Sequence, residues 1–171
     1  MKLKYKFFKK YKMKSLQIDE RKARLLYKTA SPEFKQTLED TFGKAFFECD
    51  VTDRINNLSD CFAETGRPDA PDFSDVPEDL RGCFKSLYEL IVMTEAYNEG
   101  EKFDIYDSNV RRNYPYFTTN GSPSSFGFDG AYFDNSNADA GGGSRLCFKN
   151  SNLAADAGRK FKNKYQDFFT K

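Results

Sequence analysis

Leu87-Tyr88-Glu89-Leu90-Ile91-Val92-Met93 is the stretch whose reading decides the fold. On a helix, seven consecutive residues go round the whole circumference, and here Glu89 alone carries a charge. A helix with no wide polar face is a core helix, with other elements packed on several sides. The flanks set its length. Pro77, Glu78 and Asp79 are first-turn residues and Gly100 is an exit residue, so a long central helix is predicted between them.

Upstream of it the pattern stays helical. A first helix is predicted over 17–27. A second is better marked, with Ser31 as N-cap, Pro32 at the first helical position and Gly43 as exit; Phe34, Leu38 and Phe42 recur every fourth residue. A third is expected from Thr52 to just before Gly66, burying Ile55, Leu58, Cys61 and Phe62. Residues 67–75, rich in Pro and Asp, can only connect.

Downstream of Gly100 helical periodicity disappears. Residues 103–149 fill with aromatics, Gly, Ser, Asn and Asp, and Phe126 and Phe128 alternate with small residues. Short strands are expected there, one of them over 145–148, with Asn120-Gly121, Asp129-Gly130 and Gly141-Gly142-Gly143 as turns. A last helix is predicted over 152–169, with Leu153, Ala157, Phe161, Tyr165 and Phe168 along one side. Gly158 lies inside it, at a cost of about 1 kcal/mol against Ala, which implies close packing at that point. The fold class is therefore α+β: a helical N-terminal half (13–102), then a small antiparallel aromatic-rich sheet with a C-terminal helix packed back on it (103–171), the two forming one unit.

Composition restricts the chemistry. The 171 residues contain no His, which removes the commonest general base and metal ligand, and with it any Ser-His-Asp or Cys-His nucleophile system. Cys49, Cys61, Cys83 and Cys147 are widely spaced, form no Cys-x-x-Cys pair and sit beside apolar residues, so reduced, buried thiols are expected. Asn135, Asn137 and Asp139 mimic a calcium loop, but Ala140 stands where the turn glycine belongs and Leu146 where the bidentate acid belongs. Gly141-Gly142-Gly143-Ser144 precedes an expected strand, the wrong order for a phosphate loop. These patterns predict neither cofactor nor metal, and no catalytic constellation. No stretch is long and apolar enough to span a membrane, and no secretion signal is recognisable.

Two candidate interaction elements remain. Residues 1–12 hold Lys2, Lys4, Lys6, Lys9, Lys10 and Lys12 interleaved with aromatics and no acid. They read as a disordered extension or as an arm for nucleic acid or a neighbouring subunit. The total formal charge is +1 and this segment holds +6, which leaves −5 for the rest. Any nucleic-acid contact therefore rests on these twelve residues. The second element is the set Arg111, Arg112, Tyr114, Tyr116, Tyr132 and Phe133, which suits either the interior of a small sheet poor in Leu, Ile and Val or a binding face for a protein or glycan.

Leu26-Tyr27-Lys28-Thr29-Ala30-Ser31-Pro32-Glu33-Phe34-Lys35, Thr52-Asp53-Arg54-Ile55, Glu95-Ala96-Tyr97-Asn98-Glu99-Gly100, Tyr114-Pro115-Tyr116-Phe117 and Ser144-Arg145-Leu146-Cys147-Phe148-Lys149 follow one another in this order. Together they resemble a group of small uncharacterised proteins encoded by gut Bacteroidota and their phages. Members tend to begin near Met13 and to carry Pro-Trp-Phe where this chain has Pro115-Tyr116-Phe117. The resemblance implies a phage or mobile-element origin and a place in the bacterial host cytoplasm or the virion. It implies no activity. The expectation is a non-enzymatic accessory protein that binds a partner through residues 104–143, with a minor virion or assembly component as the alternative.

Overall fold

Asp19 caps α1 (Glu20–Thr29) by accepting the Lys22 N–H with its carboxylate. The computed structural model describes residues 17–104, 106–107, 109–135 and 144–171. The six lysines of the N-terminal arm, Asn137 and Asp139 of the calcium-like loop, and the Gly141-Gly142-Gly143 turn lie outside the described residues.

Helix α2 (Pro32–Phe42) has the expected ends: the Ser31 hydroxyl accepts the Phe34 N–H, and the Gly43 N–H closes on the Glu39 carbonyl. A short α3 (Lys44–Glu48) follows, and Phe42, Phe46, Phe47 and Tyr27 make a small aromatic cluster there. The single helix expected over 52–65 is two, α4 (Val51–Arg54) and α5 (Leu58–Thr65). The cause is local. The Asn57 side chain accepts the Asp60 N–H while the Asp60 carboxylate accepts the Asn56 and Asn57 N–H groups, a capping box that starts a new helix inside an unbroken apolar stripe. Ile55 and Cys61 are fully buried all the same.

Helix α6 (Glu78–Tyr97) is the central element, with Leu90, Val92, Met93, Ala96 and Tyr97 in the core. Its charged Glu89 is buried too and is paired with Lys164 at 2.7 Å. Asn98 directly after it is buried: its amide donates to the Cys147 carbonyl (2.8 Å) and its carbonyl oxygen accepts the Lys149 N–H (3.0 Å). Residues 145–148 depart from expectation and are not a strand. Ser144–Leu146 is a 3-10 turn, and Phe148 makes a single bridge to Asn113; the next residue on that edge of β1 is Pro115, which has no N–H to extend it.

The sheet is a hairpin of β1 (Arg112–Thr118) and β2 (Gly127–Asp134), antiparallel. Asn120 and Gly121, both at positive φ, turn the chain as expected, and Pro123–Ser125 adds a 3-10 turn. Asp129-Gly130 is not a turn. It lies within β2, where the register shifts opposite Tyr116 and Phe117, so it works as a bulge.

The last helix also comes in two pieces, α7 (Ser151–Lys160) and α8 (Lys162–Thr170), which meet at the buried Phe161. The break lets α7 lie across the hairpin while α8 packs on α6. Leu153, Ala157, Phe161 and Tyr165 are buried as the spacing predicts, and Gly158 is the closest point. A Cβ there would stand 2.5 Å from the Phe128 ring and 2.7 Å from the Pro115 Cβ. The α+β class thus holds: a helical N-terminal half, a small antiparallel sheet, and C-terminal helices packed on it. No helix among the described residues is long and apolar enough to cross a membrane.

Candidate functional site

Strand alternation sorts the hairpin residues before any contact is considered. Paired positions share a face, so Arg112, Tyr114 and Tyr116 belong with Asp134, Tyr132 and Gly130. Asn113, Pro115 and Phe117 belong with Phe133, Ala131 and Phe128 on the face that meets α7. Of the six residues singled out in the sequence, four are at the surface. Tyr116 and Tyr132 are 46% and 51% exposed and touch edge to face, with ring centroids 4.9 Å apart. Gly130, across from Tyr116, leaves the space into which the Tyr132 ring leans. Phe133 is half-exposed and carries the Arg111 guanidinium over its ring at 4.4 Å.

Arg112 differs. It is 3% exposed, and its guanidinium donates to the carbonyls of Asp104 (3.1 Å) and Asn135. Its charge is spent on tying the segment before β1 to the end of β2, so it does not present itself to a partner. Tyr114 is half-buried between the exposed tyrosine pair and the interior. The sequence set therefore divides into two exposed clusters on opposite faces of the hairpin, Tyr116 with Tyr132 and Arg111 with Phe133, and a buried Arg112.

Beside the tyrosine pair runs a groove of about 520 Å³ between the hairpin and α8. Tyr116, Phe117, Phe126, Phe168 and Phe169 line it, and Asp134 is the one carboxylate on its wall. Phe117 is its hub, stacked on Phe126 at 4.9 Å and in contact with Tyr165 and Phe169. The α8 side of this groove was not singled out in the sequence. The adjacent pair Phe168-Phe169 was its one signal, since an amphipathic helix can bury only one of two consecutive rings. Phe169 is the exposed one, at 59%. The Tyr165 hydroxyl at the floor is buried with no hydrogen-bond partner among the described residues, and burial pushes its pKa up, so it stays protonated.

A second, more polar cleft of about 360 Å³ lies along the C-terminal half of α6, between Tyr88, Phe103, Lys102 and Arg145, and is bridged by Arg67 paired with Glu95. Elsewhere the ionisable groups are structural. Glu99 gathers Arg54 (3.2 Å), Lys149 (3.2 Å) and Lys28 (3.6 Å). Burial works against its carboxylate, but the three cations outweigh burial and hold its pKa below the ordinary glutamate value. Cys61 and Cys147 are buried and Cys49 and Cys83 partly so. Burial, with Asp60 adding to it, pushes the Cys61 thiol up to about 12, which leaves it protonated and unreactive. No cluster of three or more acidic or sulfur ligands suited to a metal exists among the described residues. No family model, no curated protein and no solved structure matches the chain.

Proposed function

We propose that this chain is a non-enzymatic phage or mobile-element accessory protein that captures a protein or glycan partner. Its recognition face is the outer side of the hairpin, with Tyr116 and Tyr132 as anchors and the aromatic groove beside them. The supporting observation is the half-exposed Tyr116–Tyr132 pair, held rigidly by a hairpin that is itself clamped on α7. Tyrosines with few rotamers on a fixed backbone bind at low entropic cost, and their hydroxyls add directional contacts. Pull-down with the full chain from host lysate, run beside a glycan array, tests this. Capture that persists in the Tyr116→Ala/Tyr132→Ala variant refutes it.

The second reading is a minor virion or assembly component. The run of six lysines in residues 1–12 favours it, because it suits a polyanion or an acidic neighbouring subunit. Mass spectrometry of purified particles decides between the two, since absence of the chain from particles removes the virion role.

A further inference from the structure

The charged groups of the hairpin divide between its two faces. The tyrosine face carries Tyr114, Tyr116, Tyr132 and, at one end, Asp134. Phe128 and Ala131 both face α7, so the bulge between them places Asp129 with Gly130 on the tyrosine face as well. Both carboxylates are exposed, and neither has an ion-pair partner among the described residues. The one arginine on this face, Arg112, is buried and donates to backbone carbonyls. The exposed arginines lie on the other side, Arg111 over the Phe133 ring and Arg159 of α7 over the Phe128 ring at 5.5 Å. In the groove beside the tyrosines Asp134 is again the only charged side chain on the wall.

We propose, resting on the recognition face described above, that its partner is a basic polypeptide segment whose arginines stack on Tyr116 and Tyr132 and pair with Asp129 and Asp134. Charge complementarity selects this occupant. Two unpaired carboxylates with no exposed cation beside them repel phosphate and sulfate groups, which sets nucleic acids and acidic glycans aside. Arginine matches both parts of the face, because its planar guanidinium lies flat on a ring while its fork meets a carboxylate. The chain makes the ring contact within itself, at 3.6 Å for Arg24 over Phe46 and 4.4 Å for Arg111 over Phe133. The strand also sets a spacing. Gly130, beside Asp129, and Asp134 are four residues apart in β2, or about 13 Å at the rise of a strand. Two arginines four residues apart in an extended segment span that distance with both side chains on one side, and the residue midway between them lies over Tyr132.

Amide NMR titration of the full chain with the end-capped peptide Arg-Gly-Ser-Gly-Arg, beside the same peptide with Glu in place of Arg, tests the proposal. The expected result is a saturating shift confined to residues 114–117 and 129–134, absent with the glutamate peptide and weakened by added salt. Asp129→Asn/Asp134→Asn weakens binding at least about fivefold. Asp129→Lys/Asp134→Lys transfers binding to the glutamate peptide. No saturating shift, a shift centred elsewhere in the chain, or binding that Asp129→Asn/Asp134→Asn leaves unchanged overturns the proposal. A glycan array run with the same variants separates it from the reading on which it rests. A neutral glycan that needs Tyr116 and Tyr132 but neither carboxylate overturns the basic partner and keeps the recognition face. Peptide binding that persists in Tyr116→Ala/Tyr132→Ala overturns the face itself.

Discussion

Replacing Gly158 by alanine sets two opposite effects against each other, and the structure says which prevails. On an isolated helix, Gly→Ala stabilises by about 1 kcal/mol, because glycine loses more backbone entropy on folding. In this chain the new methyl group would stand 2.5 Å from two carbons of the Phe128 ring and 2.7 Å from the Pro115 Cβ. Phe128 can yield a little by rotating, but Pro115 is a ring fused to the backbone of β1 and cannot. Relief therefore requires the whole hairpin to lift from α7. Overpacking of this kind costs roughly 1–3 kcal/mol, and two rigid neighbours place this site at the upper end. After the propensity gain the net loss is about 1–2 kcal/mol, or a fall in Tm of roughly 2–8 °C for a chain of this size. Thermal unfolding followed by circular dichroism at 222 nm reads it directly. A Tm that rises, as it would for an exposed helical glycine, refutes the reasoning that α7 and the hairpin meet at backbone distance.

Three further outcomes follow from single contacts. Tyr165→Phe removes a buried hydroxyl that bonds to no described residue and should leave denaturant stability unchanged or raise it by about 1 kcal/mol, whereas a clear loss would expose a bond the account lacks. Asn98→Ala strands the Cys147 carbonyl and the Lys149 N–H and should cost about 2–4 kcal/mol in urea unfolding. Glu99 has a depressed pKa, so its contribution is complete above the ordinary value of 4.5 and is lost as pH falls through the lower folded-state value. Melting of Glu99→Gln should accordingly be lower than wild type at pH 7 and converge with it as the pH falls below the ordinary glutamate value of 4.5.

The helices were legible wherever a cap and a period agreed. Ser31-Pro32 and Gly43 fixed both ends of α2, and the apolar run 87–93 fixed α6 at the centre. Periodicity alone failed where a polar side chain interrupts it. Asn57 and Asp60 divide one apolar stripe into two helices, and the stripe through Phe161 continues across a helix break that neither proline nor glycine marks. The departure at 145–148 has a tertiary cause, because the one bridge goes to Asn113 of β1 and Pro115, next on that edge, has no N–H to continue a ladder. The candidate face shows the same division. Aromatic content among Ser, Gly and Asn drew attention to Tyr116 and Tyr132, but nothing local separates an exposed Arg111 from a buried Arg112. That distinction depends on the carbonyls of Asp104 and Asn135, which only the closed hairpin brings to the Arg112 guanidinium.

The outer tyrosine pair is proposed to recognise a partner and not to serve as core. The Tyr116→Ala/Tyr132→Ala variant removes two half-exposed rings and one edge contact, a stability cost of about 1 kcal/mol and a Tm loss of roughly 2–4 °C. Partner recovery by the full-length variant, measured against wild type at equal folded concentration, is the most direct test. Recovery is expected to fall to background while the melting curve barely moves. Undiminished recovery, or a variant that unfolds outright, contradicts it.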